Sequence, residues 1–331
     1  MSNYPNNNLI IDILTQLIIY RKLNGDNRFK IAANQKAISE ISSLNFNIIS
    51  SSQLKDIPGI GEGISYHISN ILKYRNDEYL TGIKELDNLD DETYNKISFM
   101  SKAIEYPGVG IIRAEKFYDN GITTIKELEK TLKTNVSNKR QKIGVDYVEN
   151  INQLIPHKSI TPFKKILKPY FDKYNLSFEI VGSYARNTKF SKDIDILVHP
   201  ASSFHKNAYS SEIIENTKEI IGDLIDNNII LETLSFNQEK FEGIAYLNEE
   251  FPAVRLDMLI VNNLEYPFAK LYFIGNKNFN IFMRQTAKKL GYKLSNTNMM
   301  NKYNEYISVK SEKDIFNILN IEYLPPTERN Y

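Results

Sequence analysis

The sequence predicts an α+β protein in which a helical N-terminal region precedes a mixed β-sheet and a C-terminal α/β segment. Three observations carry this expectation. From about residue 9 to 72 the apolar side chains recur at three- and four-residue spacing, with Ile10, Ile11, Leu14, Leu17 and Ile18 sharing one helical face. Pro-Gly-x-Gly turns at 58–61 and 107–110 lie between helical patterns. Runs of β-favouring residues follow, beginning with Phe178-Glu179-Ile180-Val181 and Ile194 to Val198.

At 331 residues the chain is long enough to bury a sizeable core and to hold two or more domains. It has no cysteine, which excludes a disulfide framework and thiolate-held zinc and is compatible with a reducing, intracellular compartment. Met1 to Asn8 is short and polar, unlike a signal peptide. No apolar run approaches the ~20 residues of a membrane span. A formal net charge of +1 means that any surface for nucleic acid must be locally basic. The 21 tyrosines read mostly as ordinary core and surface residues.

In chain order, a first helix ends near Gly25, and a second runs from Phe29 to Ser42 with Ile31, Ala32, Ala37, Ile38 and Ile41 available to pack. The stretch Leu54 to Ile64 reads as a helix-hairpin-helix turn around Gly59 and Gly61, and Tyr106 to Phe117 repeats it around Gly108 and Gly110. Such turns present helix N-terminal N–H groups to a phosphate. The acidic stretch Asp87 to Glu92 is taken as a domain boundary. Lys139, Arg140 and Lys142 form a small basic cluster. After Ile155-Pro156, Ser159 or Thr161 is expected to cap the next helix. A polar loop near His199 to Ser210 precedes a helix over 211–227. Strands are expected over 229–234, 241–246 and 254–261. His199 and His205 are read as surface histidines.

The chemistry concentrates at Gly182-Ser183-Tyr184-Ala185-Arg186 and Asp193-Ile194-Asp195. The pattern is strand, tight glycine turn, short polar helix, second strand. Alternation along a strand points Asp193 and Asp195 to one face, where two carboxylates repel unless a cation lies between them. Asp257, the only acid between Val254 and Ile260, offers a third carboxylate on another apolar strand. Gly182 lets the backbone approach a phosphate, and Ser183 with neighbouring N–H groups can donate to it. Carboxylate-held metal ions and a triphosphate cradle are the ingredients of in-line phosphoryl transfer.

The Gly-Ser…Asp-x-Asp pattern resembles the nucleotidyltransferase superfamily. The segment Tyr272-Phe273-Ile274-Gly275…Phe279-Asn280…Met283-Arg284 narrows the resemblance to the family X DNA polymerases of the beta type. It spans essentially the whole chain. The resemblance implies four parts: an N-terminal helical, lyase-like domain over 1–90, a second helix-hairpin-helix subdomain over 91–152, a catalytic palm over 153–262, and a nucleotide- and template-contacting subdomain over 263–331. It implies template-directed, gap-filling DNA synthesis for repair from dNTPs, on gapped or nicked duplex DNA. Two Mg²⁺ ions, replaceable by Mn²⁺, would be held by Asp193, Asp195 and Asp257. Gly182, Ser183, Arg186, Tyr272, Phe273, Gly275 and Asn280 would contact the nucleotide. Arg255 would position Asp257, and Arg284 the template strand. The two hairpins would grip the duplex. The protein is expected to be monomeric, soluble and intracellular, in a nucleus or at a viral replication site.

Several positions depart from the family pattern. Ala185 and Lys277 replace an arginine and an acid, and Leu154 replaces a phosphate-contacting arginine, which should weaken triphosphate binding and spare the metal site. His67 stands at the position of the lysine that forms the Schiff base in 5′-deoxyribose-phosphate removal. That activity is expected to be lost or moved to another amine, with Lys30 and Lys73 as candidates. The alternatives are a template-independent terminal nucleotidyltransferase, whose long template-blocking loop is not evident, and a DNA-binding scaffold, which three retained carboxylates disfavour.

Overall fold

The computed structural model describes residues 4–44, 46–77, 79–134, 139–201 and 210–329. They fall into two compact units, Met1–Gln153 and Leu154–Tyr331. His205 and the side chains of Lys139 and Arg140 lie outside the described residues, whereas Lys142 is exposed.

The first unit is helical, with α1 (Pro5–Leu23), α2 (Arg28–Ser43), α3 (Glu62–Lys73), the single turn α4 (Lys84–Asp87), α5 (Asp91–Ala103), α6 (Ile111–Asp119), α7 (Ile125–Thr134) and α8 (Lys139–Ile151). Helix α1 closes where expected: Gly25, at φ 63°, donates to the Lys22 carbonyl, and Asp26 donates to that of Arg21. Its burial is wider than one face. Ile10, Leu14 and Leu17 pack with Ile41, Ile64 and Ile68, while Ile19 enters a second cluster with Phe99, Met100 and Leu128. In α2 the expected packing of Ala32 is corrected, because Ala32 is exposed and Asn34 points inward with Ala37 and Ile41. Positions 34, 37 and 41 share one stripe at 3.6 residues per turn, and position 32 lies on the opposite side. The acidic stretch holds the end of α4 and the start of α5, where Asp90 Oδ1 accepts from the Thr93 N–H at 2.8 Å.

The two Pro-Gly-x-Gly turns share one geometry. Ile60 N donates to Ile57 O at 3.1 Å and Val109 N to Tyr106 O at 3.0 Å, closing four-residue turns. Gly59 at φ 96° and Gly108 at φ 78° occupy the position of a type II turn that needs a positive φ. Gly61 and Gly110 are then the N-cap residues of α3 and α6, with no side-chain cap on either helix. Ile60 and Val109 are buried and anchor the turns to their cores.

The second unit opens with β1 (Ile155–Pro156), which pairs with β3 (Phe190–Ser191), and with α9 (His157–Lys173). The expected cap is corrected: Pro156 is the N-cap, Ser159 is buried inside the first turn, and the Thr161 hydroxyl donates back to the His157 carbonyl. Pairing of Ile155 with Ser191 starts the helix earlier than the hydroxyl pattern suggests. The main sheet contains β2 (Leu176–Ile180), β4 (Ile194–Pro200), β5 (Ile230–Phe236), β6 (Lys240–Ala245) and β7 (Val254–Ile260) in the order β2-β4-β7-β6-β5. Only the β4–β7 pair is parallel, so the sheet is mixed, as the sequence predicts. His199 belongs to β4 rather than to a loop, since β2 extends to Leu176 and pairs Ser177 with it. Helix α11 (Ser210–Asp226) and α9 cover one face through Phe163, Leu167, Ile220 and Leu224 against Ile194, Ile196, Leu256 and Met258. On the opposite face, Leu197 and Leu259 pack against Ala269 and Ile274 of α12 (Tyr266–Ile274).

Helix α13 (Lys277–Lys289), the hairpin of β8 (Lys293–Leu294) and β9 (Met299–Met300), and α14 (Glu312–Ile318) complete the unit. Its last residues are pinned by Arg329, which is fully buried, pairs with both oxygens of Glu312 at 3.0 Å, and lies among the rings of Phe279, Phe316 and Tyr323. Removing one partner of a buried pair strands the other charge. Arg329→Ala should therefore destabilise the second unit by about 3–5 kcal/mol in urea unfolding, and the paired change Arg329→Met with Glu312→Leu should cost much less.

Candidate active site

Gly182 follows β2 and opens the four-residue helix α10 (Gly182–Ala185) at φ 61°. A β-carbon there would collide with the Asp195 carboxylate, so the glycine serves both the turn and the close approach of backbone to acid. The Ser183 hydroxyl donates to Ser191 Oγ at 2.7 Å, and Ser191 Oγ lies 3.3 Å from His157 Nε2. Thr188 donates to the carbonyls of Ser183 and Phe190 and closes the loop back onto β3. The turn is thus held rigid from outside. Ser191 and His157 were not legible as part of it, because their partnership depends on β1–β3 pairing.

Parallel pairing sets Asp195 of β4 directly beside Asp257 of β7. Asp193, just ahead of β4, faces the same cluster: burial raises its pKa, the Arg255 charge opposes this, and Asp257 adds to it. Burial, with the charges of Asp193 and Asp257, pushes the Asp195 carboxyl up to about 7. Arg186 works against that rise. Its guanidinium donates to the Ile274 carbonyl at 2.7 Å, which ties the glycine turn to the end of α12.

The structure adds three residues that strand reading did not single out. Antiparallel pairing sets Glu242 of β6 opposite Asp257, and Ser235 of β5 opposite Glu242. Asp195, Asp257 and Glu242 therefore form one row across three strands. Lys240, two residues before Glu242 and so on its face, lies 2.7 Å from Glu242 Oε1 and 3.1 Å from Asp257 Oδ2. Arg255 approaches Asp257 Oδ1 at 4.0 Å. Register between strands far apart in sequence was the missing signal.

Oxygen donors of this charge suit a hard divalent cation. Close carboxylates of like charge raise one another's pKa, and a cation bound among them would offset that repulsion. As they stand, no three His, Asp or Glu side chains converge closely enough to hold one ion among the described residues. Lys240 supplies part of the neutralisation instead.

The nucleotide-segment residues cluster as well. Tyr272 and Phe273 make an edge-to-face pair, Asn280 donates to the Tyr272 carbonyl at 2.7 Å, and the Arg284 guanidinium lies over the Tyr272 ring at 5.2 Å. A β-carbon at Gly275 would meet the Phe279 ring. Lys277 is exposed at the first position of α13. Behind the sheet edge, Glu179 accepts from Tyr266 and Lys270, and His199 stacks on Tyr266 at 4.3 Å with its Nδ1 on the Pro200 carbonyl.

Of the lyase candidates, Lys30 lies on α2, and His67 and Lys73 lie on α3. Lys30 is exposed and pairs with Asp26 at 3.8 Å. Lys73 sits over the Tyr74 ring. His67 is half-buried, its pKa lowered by burial and by the Arg21 charge. His67 and Lys73 are six residues apart on α3, about 240° around its axis.

The fold and the carboxylate row define a nucleotidyltransferase palm, and the comparisons agree. Residues 154–263 match the DNA polymerase beta palm, 269–330 the DNA polymerase beta thumb, 5–77 a helix-hairpin-helix domain and 107–152 the fingers domain of DNA polymerase lambda. The chain is similar to DNA polymerase lambda of Arabidopsis thaliana, at 28% identity over 98% of this chain and 62% of that protein. It is similar to DNA nucleotidylexotransferase of Xenopus laevis, at 25% over 92% and 65%, and to DNA polymerase lambda of Rattus norvegicus, at 22% over 93% and 54%. The chain belongs to family X of the DNA polymerases. It spans less than two thirds of the length of each of these relatives.

The raised Asp195 pKa gives a pH signature in metal-free protein. The folded state holds this proton up to about 7, whereas the unfolded carboxyl, with the ordinary aspartate pKa of 3.8, releases it earlier. Stability contributed by the site is then full at low pH and falls as pH rises through that window. In EDTA, Asp195→Asn should raise Tm most at pH 8 and by clearly less at pH 5. Equal effects at both pH values in a thermal melt would contradict the assignment.

Proposed function

We propose that this protein is a template-directed DNA polymerase that fills short gaps in duplex DNA from dNTPs. The observation that carries the reading is the register of Asp195 with Asp257, with Asp193 alongside and Arg186 joining the glycine turn to α12. Asp193, Asp195 and Asp257 would hold two Mg²⁺ ions, with Mn²⁺ able to replace them. Bound there, the ions would lower the pKa of the primer 3′-hydroxyl and neutralise charge on the leaving pyrophosphate.

The remaining work falls to the chain. Gly182, Ser183 and Arg186 bind the triphosphate, with Arg186 compensating the charge that grows on the leaving group as the 3′-oxygen displaces pyrophosphate from the α-phosphorus. Arg255 holds Asp257 in orientation. Tyr272, Phe273 and Gly275 pack against the sugar and disfavour a 2′-hydroxyl, Asn280 contacts the incoming nucleotide, and Arg284 contacts the template. The first-turn N–H groups beyond Gly59-x-Gly61 and Gly108-x-Gly110 meet DNA phosphates, a sequence-independent and salt-sensitive contact. We assign 1–90 to a lyase-like domain, 91–152 to a DNA-binding subdomain, 153–262 to the palm and 263–331 to the nucleotide- and template-contacting subdomain.

Likeness to a DNA nucleotidylexotransferase keeps template-independent addition as the second reading. Primer extension on gapped, open and single-stranded DNA separates the two. Extension should require a template, favour short gaps with a 5′-phosphate, and be abolished by Asp195→Ala or Asp257→Ala with DNA binding retained. Equal extension without template would favour terminal transfer, and near-normal extension by either variant would overturn the site.

Removal of a 5′-deoxyribose phosphate should be absent or very weak. Imidazole at His67 can act as a base but cannot carry a lysine-type iminium. Borohydride trapping on an incised abasic site should give little adduct, and His67→Lys should increase it. A strong adduct in the unaltered protein, lost in Lys30→Ala or Lys73→Ala, would assign the chemistry to that amine instead.

A further inference from the structure

We infer that Lys240, held by Glu242, is a built-in counter-ion that competes with the metal for Asp257 and sets how tightly the site binds a divalent cation. The inference rests on the reading of Asp193, Asp195 and Asp257 as metal ligands. Three observations carry it. Lys240 bridges two carboxylates, at 2.7 Å from Glu242 and 3.1 Å from Asp257. Glu242 is in register with Asp257 across the β6–β7 ladder, and its other oxygen accepts from the Ser235 hydroxyl at 3.1 Å, which fixes its orientation. Asp257 is nearly buried, at 9% exposure, so its charge is poorly screened and the nearest cation dominates its surroundings.

Glu242 is the residue that makes this arrangement work. A lysine with only Asp257 as partner would have to lose its ion pair when a divalent cation takes that carboxylate. With Glu242 beside it, the ammonium keeps one charged hydrogen bond and moves a short distance. Lys240 thus shields Asp257 in the metal-free protein and gives way without being stranded. Glu242 acts through Lys240 and is a positioning residue, not a ligand.

The test is Mn²⁺ binding to the DNA-free protein, followed by electron paramagnetic resonance of the free ion. Lys240→Met should bind Mn²⁺ about tenfold more tightly, because a positive charge a few ångströms from a divalent ion is removed. Lys240→Arg should stay near the unaltered protein. Glu242→Gln should bind about threefold more weakly, since the freed ammonium is left to Asp257 alone. In the double variant the Glu242 effect should vanish, giving the affinity of Lys240→Met.

Unchanged or weaker affinity in Lys240→Met, or an unchanged Glu242→Gln, overturns the inference. A double variant weaker than Lys240→Met by the full Glu242→Gln factor also overturns it, by making Glu242 a direct ligand. Thermal melts establish that each variant is folded, and the Arg and Gln variants carry the test if Lys240→Met is not. If the unaltered protein binds Mn²⁺ no better than Asp195→Asn, the metal-site reading itself fails; if it binds and the Lys240 and Glu242 variants match it, only this inference fails.

Discussion

Repulsion between carboxylates on adjacent strands is the constraint on which the second unit is built. Asp195 and Asp257 are paired side by side in the parallel β4–β7 ladder, with Glu242 continuing the row on β6 and Asp193 two residues before Asp195 along the chain. Left alone, such a row would open the sheet or stay protonated. The fold answers with cations placed by neighbouring elements: Arg186 from the glycine turn, Arg255 from the same strand as Asp257, and Lys240 from β6. The carboxylates stay together because the opposite face of the same strands is apolar and fully covered. Ile194, Ile196, Leu256 and Met258 alternate with the acids and lock the register against α9 and α11.

The same alternation joins the site to the nucleotide segment. Leu197 and Leu259, each two residues after a carboxylate on its strand, pack under α12, so the strands that carry the acids also seat the helix that ends in Tyr272 and Phe273. Arg186 adds a polar tie to the carbonyl of Ile274. On the outer edge, Glu179, Tyr266 and Lys270 fasten the start of α12 to β2. A small set of contacts therefore couples acid geometry to the surface proposed to meet a nucleotide.

Much of the fold was legible because its signals are local. Gly59 and Gly108 announce turns by the positive φ that only glycine adopts without cost, and the same logic marks Gly182. Alternation along β4 and β7 identified which acids share a face. Helix starts were less legible. Pro156 rather than Ser159 begins α9, because strand pairing by Ile155 decides where the chain turns into the helix. Asn34 replaced Ala32 in the core of α2 because hydrophobicity alone does not tell which side of a mostly polar helix faces inward.

What the sequence by itself determined was the class of fold, the glycine turns, the three acids and the arginines beside them, all properties of residues a few positions apart. Partnership across strands was decided only by tertiary structure. Lys240 and Glu242 look like ordinary alternating charges on a strand until the β6–β7 register sets Glu242 against Asp257. Ser191 and His157 acquire a role at Ser183 only through the β1–β3 pairing. The physical reason is that a hydrogen-bonded ladder places residues about 5 Å apart whatever their separation along the chain, and its register follows from the burial of the whole sheet, not from any single motif.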